Sequence, residues 1–433
     1  MKNNRINLIG LNLYSIFLAL KIRQIKKDIP ITIIDGSKNF LNAYNKIKIN
    51  KYSVNPGFHS FEDIRSKNII NFLGHFVKFN KIIKTRGILI GDKLMSWLDG
   101  HDEWPEEILE KYKIKKEKIT IDQNKDISLL NKNYLRYLID NCDGDKVKIQ
   151  SVINSAYPWF FPKNYNVSSE DEGALFNKKI REGKVKHAFV FPEGGLFYNI
   201  SKQLKKNLKK NNIKIKLNFP IRFQKSKKLI TLKNQKKKIS LEDKNIVCVP
   251  VIPLIKSIDD INDSSLLNSN LKPIKYYTGL IEIKNSIQNN LDKFCEIIVS
   301  SEFAFGLKRI SNYSEASKIK NKLIYQIEFI EHINNRDINI QINDIIKLLS
   351  KFIVFKNHNK SNNISLIGYS FVRNIFRPKE SEIKRLSLKT IKYFENQENF
   401  IFPRQITWPI NSNKHFLFAE EDFKIKVRRF IND

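Results

Sequence analysis

The first 36 residues constrain the fold of this chain more than any other segment. Residues 5–9 form a short apolar run that ends at Gly10, and a helical pattern of apolar residues follows to about Lys27. A breaker at Pro30 separates this helix from a second apolar run at residues 31–34. Strand, turn, helix and strand in this order predict a βαβ unit, and therefore an α/β fold with a parallel sheet.

The turn after the first strand carries a degenerate form of the dinucleotide-binding fingerprint, whose three small residues let the backbone approach a diphosphate. The three positions are Gly10, Asn12 and Ser15. Gly10 keeps the tight turn, Asn12 is a residue type that tolerates left-handed backbone, and Ser15 is small enough to pack on the strand. Asp35 follows Ser15 by 20 residues, where an acidic side chain would hold a ribose hydroxyl. These four residues are predicted to bind a dinucleotide; the alternative is an ordinary βαβ unit without a ligand.

Three later segments form an ordered series with this unit. The turn 192–195 contains Gly194 and Gly195 and opens a helix, a strand at 213–217 leads to Ile221, and a strand at 245–249 ends at a proline. With this series the sequence resembles the large flavoprotein group that includes amine oxidases, protoporphyrinogen oxidases and UDP-galactopyranose mutases. The resemblance implies a Rossmann-like domain that binds FAD non-covalently, with Gly194, Gly195 and Ile221 beside the cofactor.

The resemblance also implies residues on the flavin and substrate side. The segment Gly57-Phe58-His59 is similar to one that lies near the flavin in the mutase branch, which makes Gly57 a cofactor residue and His59 the candidate catalytic residue. Arg309 resembles the arginine that approaches the substrate diphosphate in that branch, since a guanidinium suits such a group. Trp159 lies in an aromatic, proline-containing segment predicted to be a loop or lid, which makes it a candidate substrate contact. Arg404 is the nearest match to the C-terminal element that contacts the FAD diphosphate.

The sequence departs from the group at two places. Leu41 and Asn42 stand where a pair of glycines usually follows the ribose-binding acid, and Pro403 stands where a glycine usually precedes Arg404. Both departures concern the approach of backbone to the cofactor phosphates.

The expected fold is therefore α/β, a Rossmann-like FAD-binding domain with an inserted substrate domain that contains a mixed or antiparallel sheet. The FAD-binding domain is assigned to residues 1–90 and 185–260 with 360–433. The substrate or cap domain is assigned to 91–184 and 261–359. Apolar, β-rich runs at 276–283, 294–299 and 323–329 predict its strands.

Composition narrows the class of protein further. The net charge of +33 is spread along the chain rather than clustered, so nucleic acid is an unlikely partner. The 3 cysteines have no metal-ligand spacing, which favours a reducing, cytoplasmic setting without a metal site. No apolar stretch is long enough for a membrane span.

Three classes of function follow from these features. The first is a flavoenzyme that acts on a small molecule, with the mutase-like segments favouring a nucleotide sugar. The second is a non-catalytic descendant of the same fold that has lost FAD, which is supported by Leu41, Asn42 and Pro403. The third is a basic protein that binds anions or nucleic acid, which is supported only by the net charge. The sequence leaves the oligomeric state open.

Overall fold

The computed structural model describes most of the chain outside one long central segment. The described residues are 5–57, 60–63, 66–90, 93–96, 188–226, 229–234, 237–240, 243–249, 254, 257–258, 274–299, 306–331, 337–356, 363–375, 392–394, 398–402 and 412–432.

Strands form most of the regular structure in these ranges. In chain order they are β1 Ile6–Ile9, β2 Ile31–Ile34, β3 Ile47–Ile49, β4 Tyr52–Val54, β5 Phe61–Glu62, β6 Phe79–Ile82, β7 Thr85–Ile90, β8 Lys93–Ser96, β9 Phe189–Pro192, β10 Ile213–Lys216, β11 Phe223–Ser226, β12 Leu229–Asn234, β13 Lys237–Ser240, β14 Lys244–Val247, β15 Ile274–Ile283, β16 Ser286–Asn289, β17 Phe294–Val299, β18 Leu307–Asn312, β19 Leu323–Ile330, β20 Ile353–Phe355, β21 Ile364–Ile375 and β22 Phe400–Ile401.

The helices cover the sheets. They are α1 Leu13–Ile25, α2 Lys67–Gly74, α3 Tyr198–Lys210, α4 Tyr313–Ala316, α5 Ile338–Ser350, α6 Ser412–Asp422 and α7 Arg428–Asn432, with a π-helical turn, Phe423–Val427, between α6 and α7. Short 3-10 turns occupy Asn42–Tyr44 and Asn290–Lys293. No helix in the described part of the chain has both the length and the apolar character that crossing a bilayer requires.

The first sheet confirms the predicted parallel α/β arrangement. Its strand order is β10-β2-β1-β14-β22, and every pair in it is parallel. All four residues of β1 and of β2 are buried, as expected for strands covered on both faces. The helices α1 and α3 pack on one face with α6, and their apolar residues form one core with the sheet. The carboxyl ends of β1, β2 and β14 therefore meet at one edge, where ligands bind in open α/β sheets.

The second sheet confirms the predicted mixed or antiparallel sheet. Its order is β21-β15-β19-β18-β17-β7-β8, and only the β17–β7 pair is parallel. Apolar residues of β15, β18 and β19 pack against α5 on one face. β7 and β21, whose residues fall in ranges assigned above to the FAD-binding domain, hydrogen-bond in this sheet, and the domain boundaries stay a prediction.

The apolar residues of segment 60–80 predict a mostly helical segment, and the structure is different. Among its described residues only Lys67–Gly74 is helical, while Phe61–Glu62 and Phe79–Ile82 pair with Phe189–Pro192. The pairing partner lies more than 100 residues further along the chain. A local pattern of apolar residues carries no information about a partner so distant in sequence. Pairing with that partner in the tertiary structure therefore overrides the local helical preference.

The C-terminal helix α6 contains a titratable group that makes the stability depend on pH. Burial lowers the pKa of His415 to about 4, and its enclosed Nδ1 has no hydrogen-bond partner among the described residues. The unfolded chain takes up a proton at this residue near pH 6.5, before the folded protein does. The stabilising contribution is therefore present above pH 6.5 and is lost as the pH falls toward 4, by up to about 3 kcal/mol at pH 4.

Urea unfolding at pH 7, 5.5 and 4.5 measures this contribution. His415→Gln should reduce the loss of stability on acidification, whereas His75→Gln, at an exposed histidine, should follow the wild type. Identical pH profiles for the wild type and His415→Gln would contradict the assignment.

Candidate functional site

The turn between β1 and α1 lies at the carboxyl edge of the parallel sheet. Gly10 has φ +104° and donates its amide to the carbonyl of Ile34, so the turn bends directly over the end of β2. A Cβ at this position would lie 2.9 Å from the backbone nitrogen of Val249. Glycine is therefore required here for the left-handed backbone and for the close approach to the segment after β14.

Asn12 begins helix α1 as its N-cap, and its predicted role in cofactor binding stays a prediction. Its backbone is extended, with φ −150°, rather than left-handed, and it forms the N-cap of α1. Its Oδ1 accepts a hydrogen bond from the Ser15 amide at 2.9 Å, and its amide donates to Ser15 Oγ at 3.0 Å. Its Nδ2 also donates to the carbonyl oxygen of Cys248 at 2.8 Å. The two residues form a capping box, which satisfies helix amides that otherwise have no intrahelical partner.

Asp35 stands at the end of β2, as its spacing predicts, and its carboxylate joins two turns. One oxygen accepts from the Leu11 amide at 2.7 Å, and the other accepts from the Ser37 amide at 2.7 Å. Its backbone carbonyl accepts from Phe219 at 3.0 Å. Asp35 therefore brings the Gly10 turn and the segment leading to Ile221 to one edge of the sheet.

Ile221 lies at this edge, and Leu41 lies in the core that α1 and α3 form with the sheet. Ile221 is half-buried and packs with the apolar cluster that includes Ile34, Phe219 and Val249. Leu41, which replaces an expected glycine, has φ +44° and is buried. A leucine in left-handed backbone costs about 1–2 kcal/mol, so the chain keeps the geometry that a glycine would adopt while using the side chain in the core.

The predicted flavin-side segments meet at a residue that sequence reasoning missed. Asn55 is buried; its Nδ2 donates to the carbonyl of Gly195 at 3.0 Å, and its Oδ1 accepts from the Phe197 amide at 2.9 Å. Its carbonyl accepts from the Gly57 amide at 2.7 Å and from Gln326 Nε2, on β19, at 3.2 Å. Asn55 therefore links the turn at Gly57, the turn before α3 and the second sheet. In the sequence, the adjacent Pro56-Gly57 turn is the only feature that draws attention to Asn55.

The two glycines of the 192–195 turn serve different purposes. Both have positive φ, 78° at Gly194 and 73° at Gly195. A Cβ on Gly195 would lie 2.9 Å from the carbonyl oxygen of Ala316, so this glycine permits close packing on α4. A Cβ on Gly194 would meet nothing within 4 Å, so only the backbone conformation requires glycine there.

Arg309 lies on β18 between two buried carboxylates. Its Nη2 is 2.8 Å from Glu328 Oε2 and its Nη1 is 3.4 Å from Glu296 Oε2. Burial alone lowers the pKa of Arg309, but Glu328 and Glu296 raise it above its ordinary value, so the guanidinium stays charged. Arg86 also pairs with Glu296, through Nε at 2.6 Å.

Tyr276 extends this network and donates to Glu328 Oε2 at 2.7 Å. Burial and the nearby Glu328 raise the pKa of Tyr276 well above its ordinary value. Two arginines thus balance two carboxylates, and the predicted role of Arg309 at a substrate diphosphate stays a prediction.

Three predicted site residues, His59, Trp159 and Arg404, lie outside the described residues, and their roles stay predictions. Among the residues that the structure does describe, no group of three His, Cys, Asp or Glu side chains is placed to hold a metal ion. The structure brings Gly10, Asn12, Ser15, Asp35 and Ile221 to one edge of the parallel sheet, and it brings Gly57 and Gly195 together at Asn55.

Comparison with known proteins gives matches in structure only. No protein-family model matches the chain, and no curated protein is significantly similar to it. A proposed protoporphyrinogen oxidase from Exiguobacterium sp. 255-15 has a TM-score of 0.66 and 11% identity over 99% of this chain and 100% of that chain. Reduced UDP-galactopyranose mutase has a TM-score of 0.64 and 11% identity over 99% of this chain and 98% of that chain. Putrescine oxidase with bound putrescine has a TM-score of 0.56 and 10% identity over 98% and 99% of the two chains.

These structures belong to the enzyme classes that the sequence resembles. The chain therefore has the fold of this group, which confirms the resemblance and the expected fold class. At 10–11% identity the similarity establishes the fold and not the ligand or the reaction.

Proposed function

We propose that this chain binds FAD non-covalently, with the adenosine end at the carboxyl edge of the parallel sheet, and that it is a flavoenzyme for a small-molecule substrate. The observation that carries the proposal is the position of Asp35. Asp35 directly follows β2 and its carboxylate lies beside the Gly10 turn, accepting from the Leu11 amide at 2.7 Å. The ribose-binding acid of a dinucleotide site likewise follows the second strand, close to the phosphate turn. The fold, which is that of flavoenzymes by resemblance, supports the same proposal.

The flavin end is proposed to lie beside the turn Asn55–Gly57. The hydrogen bonds of Asn55 to Gly195 and Phe197 fix this turn against the start of α3, so a ring placed there would meet a rigid wall. His59 follows two residues later and is proposed as the catalytic residue, while Trp159 and Arg404 are proposed to contact substrate and cofactor. FAD, when bound, would supply the redox chemistry, and the protein would supply orientation and electrostatics.

The substrate is proposed to be a nucleotide sugar or another small molecule, in keeping with the mutase-like segment Gly57-Phe58-His59. Arg309 is proposed as a contact of its diphosphate. The pairing of Arg309 with Glu328 and Glu296 limits that role, because its positive charge is already balanced.

The residues present fit the adenosine ribose of FAD, and they fit the diphosphate of FAD less well. Gly10 and Asp35 suit the turn and the ribose. At the position where a second glycine admits the diphosphate, Asn12 instead caps α1.

FAD binding tests the proposal directly. The purified protein, supplied with FAD and then desalted, should retain a flavin spectrum with bands near about 370 and 450 nm. Asp35→Ala should weaken FAD binding by about 1–3 kcal/mol, because it removes a hydrogen bond to a charged group. Calorimetric titration with FAD measures the difference.

Asp35→Ala also removes bonds to two backbone amides, so its melting temperature must be compared with that of Ser37→Pro. This control removes the Ser37 amide and the Ser37 hydroxyl that donates to the carbonyl of Asn39, and it keeps the bond from Leu11 to Asp35. Equal FAD affinity in the wild type and in folded Asp35→Ala would contradict the proposed ribose site.

The alternative is a descendant of the fold that no longer binds FAD. The specific observation in its favour is the complete capping box of Asn12 and Ser15 at the helix end that would receive the diphosphate. No flavin retained by the wild type or by Asn12→Gly would favour this alternative.

A further inference from the structure

Asn12 makes two hydrogen bonds that hold its side chain across the start of α1. Oδ1 accepts from the Ser15 amide at 2.9 Å, and Nδ2 donates to the Cys248 carbonyl at 2.8 Å, 236 residues away in sequence. The first bond belongs to the helix cap and the second crosses to the segment after β14. The side chain is thus fixed from two directions.

Four amides of this turn are already used within the protein. Gly10 donates to Ile34, Leu11 donates to Asp35, Asn12 donates to Ser15 Oγ, and Ser15 donates to Asn12 Oδ1. A diphosphate binds a helix N-terminus by accepting hydrogen bonds from such amides. The amide oxygen of Asn12 therefore accepts from an amide, that of Ser15, which could otherwise donate to a phosphate oxygen.

We infer that Asn12 is the residue that sets the affinity of this chain for a diphosphate-bearing cofactor, because its side chain and the diphosphate compete for the same end of α1. The inference rests on the proposed FAD-binding function. When the cofactor binds, Asn12 gives up its contacts with Ser15 and Cys248. FAD consequently binds more weakly, and dissociates more easily, than it would at the same Gly10 turn without the Asn12 side chain.

The inference distinguishes ligands with a diphosphate from ligands without one. FAD and ADP both carry the diphosphate and must displace Asn12. Adenosine carries the same base and ribose but has no phosphate, so its contact with Asp35 does not disturb the cap. A change at Asn12 should therefore alter the binding of FAD and ADP together and leave the binding of adenosine unchanged.

The test uses the full-length protein with two substitutions at the same position. Asn12→Gly removes the competing side chain, and glycine is well tolerated at an N-cap. It should tighten FAD and ADP binding on the order of tenfold, since hydrogen bonds worth that factor no longer have to be broken. Its melting temperature without ligand should fall by about 2 °C, because the bond to Cys248 is lost.

Asn12→Asp is the matched control. Aspartate retains a cap for the Ser15 amide but places a negative charge where the diphosphate would lie, so FAD and ADP binding should be lost while the protein remains folded. The ligands are measured by calorimetric titration, and the folded state is measured by thermal unfolding.

The inference predicts that FAD affinity rises in Asn12→Gly while the melting temperature falls. Tighter binding of FAD and ADP together with a lower melting temperature in Asn12→Gly supports the inference. FAD affinity that is unchanged or weaker in Asn12→Gly overturns it and leaves the proposed function standing. FAD bound by neither the wild type nor Asn12→Gly overturns the proposed function itself.

Discussion

Replacing Arg309 with leucine is expected to lower the free energy of unfolding by about 3–5 kcal/mol, because it removes a charged partner from two buried carboxylates. Glu328 and Glu296 are 0% and 1% exposed, and Arg309 contacts Glu328 through two nitrogens, at 2.8 and 3.1 Å. In the variant, Glu296 keeps its contact with Arg86 and Glu328 keeps its hydrogen bond from the hydroxyl of Tyr276.

Chemical unfolding of the variant and of two controls measures this effect. Arg309→Leu combined with Glu328→Leu removes both members of the pair and should recover much of the loss, since buried pairs are often replaceable by apolar residues. Lys275→Met, at the exposed pair with Glu331, should change stability little. Unchanged stability in Arg309→Leu would contradict this prediction.

Replacing Gly10 with alanine is expected to destabilise the protein by roughly 2–5 kcal/mol even when no cofactor is present. The added Cβ would lie 2.9 Å from the nitrogen and 3.0 Å from the Cα of Val249, and backbone atoms at the end of β14 cannot move aside cheaply. The backbone at Gly10 also has φ +104°, which a side chain disfavours.

Thermal and urea unfolding of the apoprotein check this prediction. Gly74→Ala is the control, because a Cβ at Gly74 would meet nothing within 4 Å. It should be neutral or slightly stabilising at the end of α2. A Gly10→Ala apoprotein as stable as the wild type, but unable to bind FAD, would show that Gly10 serves only the ligand.

Much of the first sheet could be predicted because its elements are local. The apolar runs of β1 and β2 and the helical pattern between them lie within residues 6–34. The spacing of apolar residues within each of these short segments is enough to predict a strand or a helix. The spacing between Ser15 and Asp35 likewise reflects the length of one helix and one turn. Three of the seven strands of the second sheet, β15, β17 and β19, could be predicted for the same reason, as runs of β-branched and aromatic residues.

The partners of individual side chains followed only from the tertiary structure. The sequence marks Gly10, Asn12, Ser15 and Asp35 as a turn and its acid, but the bond from Asn12 to Cys248 spans 236 residues. The bond from Gln326 to Asn55 spans 271 residues, and Arg309 meets Glu328 on the neighbouring strand only because of the register of β18 and β19. Local periodicity sets which face of a strand or helix is apolar, and it carries no information about which distant polar atom will lie opposite. The sequence thus determined the kind of fold and the place of the turn, whereas tertiary packing decided that the Asn12 side chain bonds to Cys248 and that Arg309 is held by carboxylates.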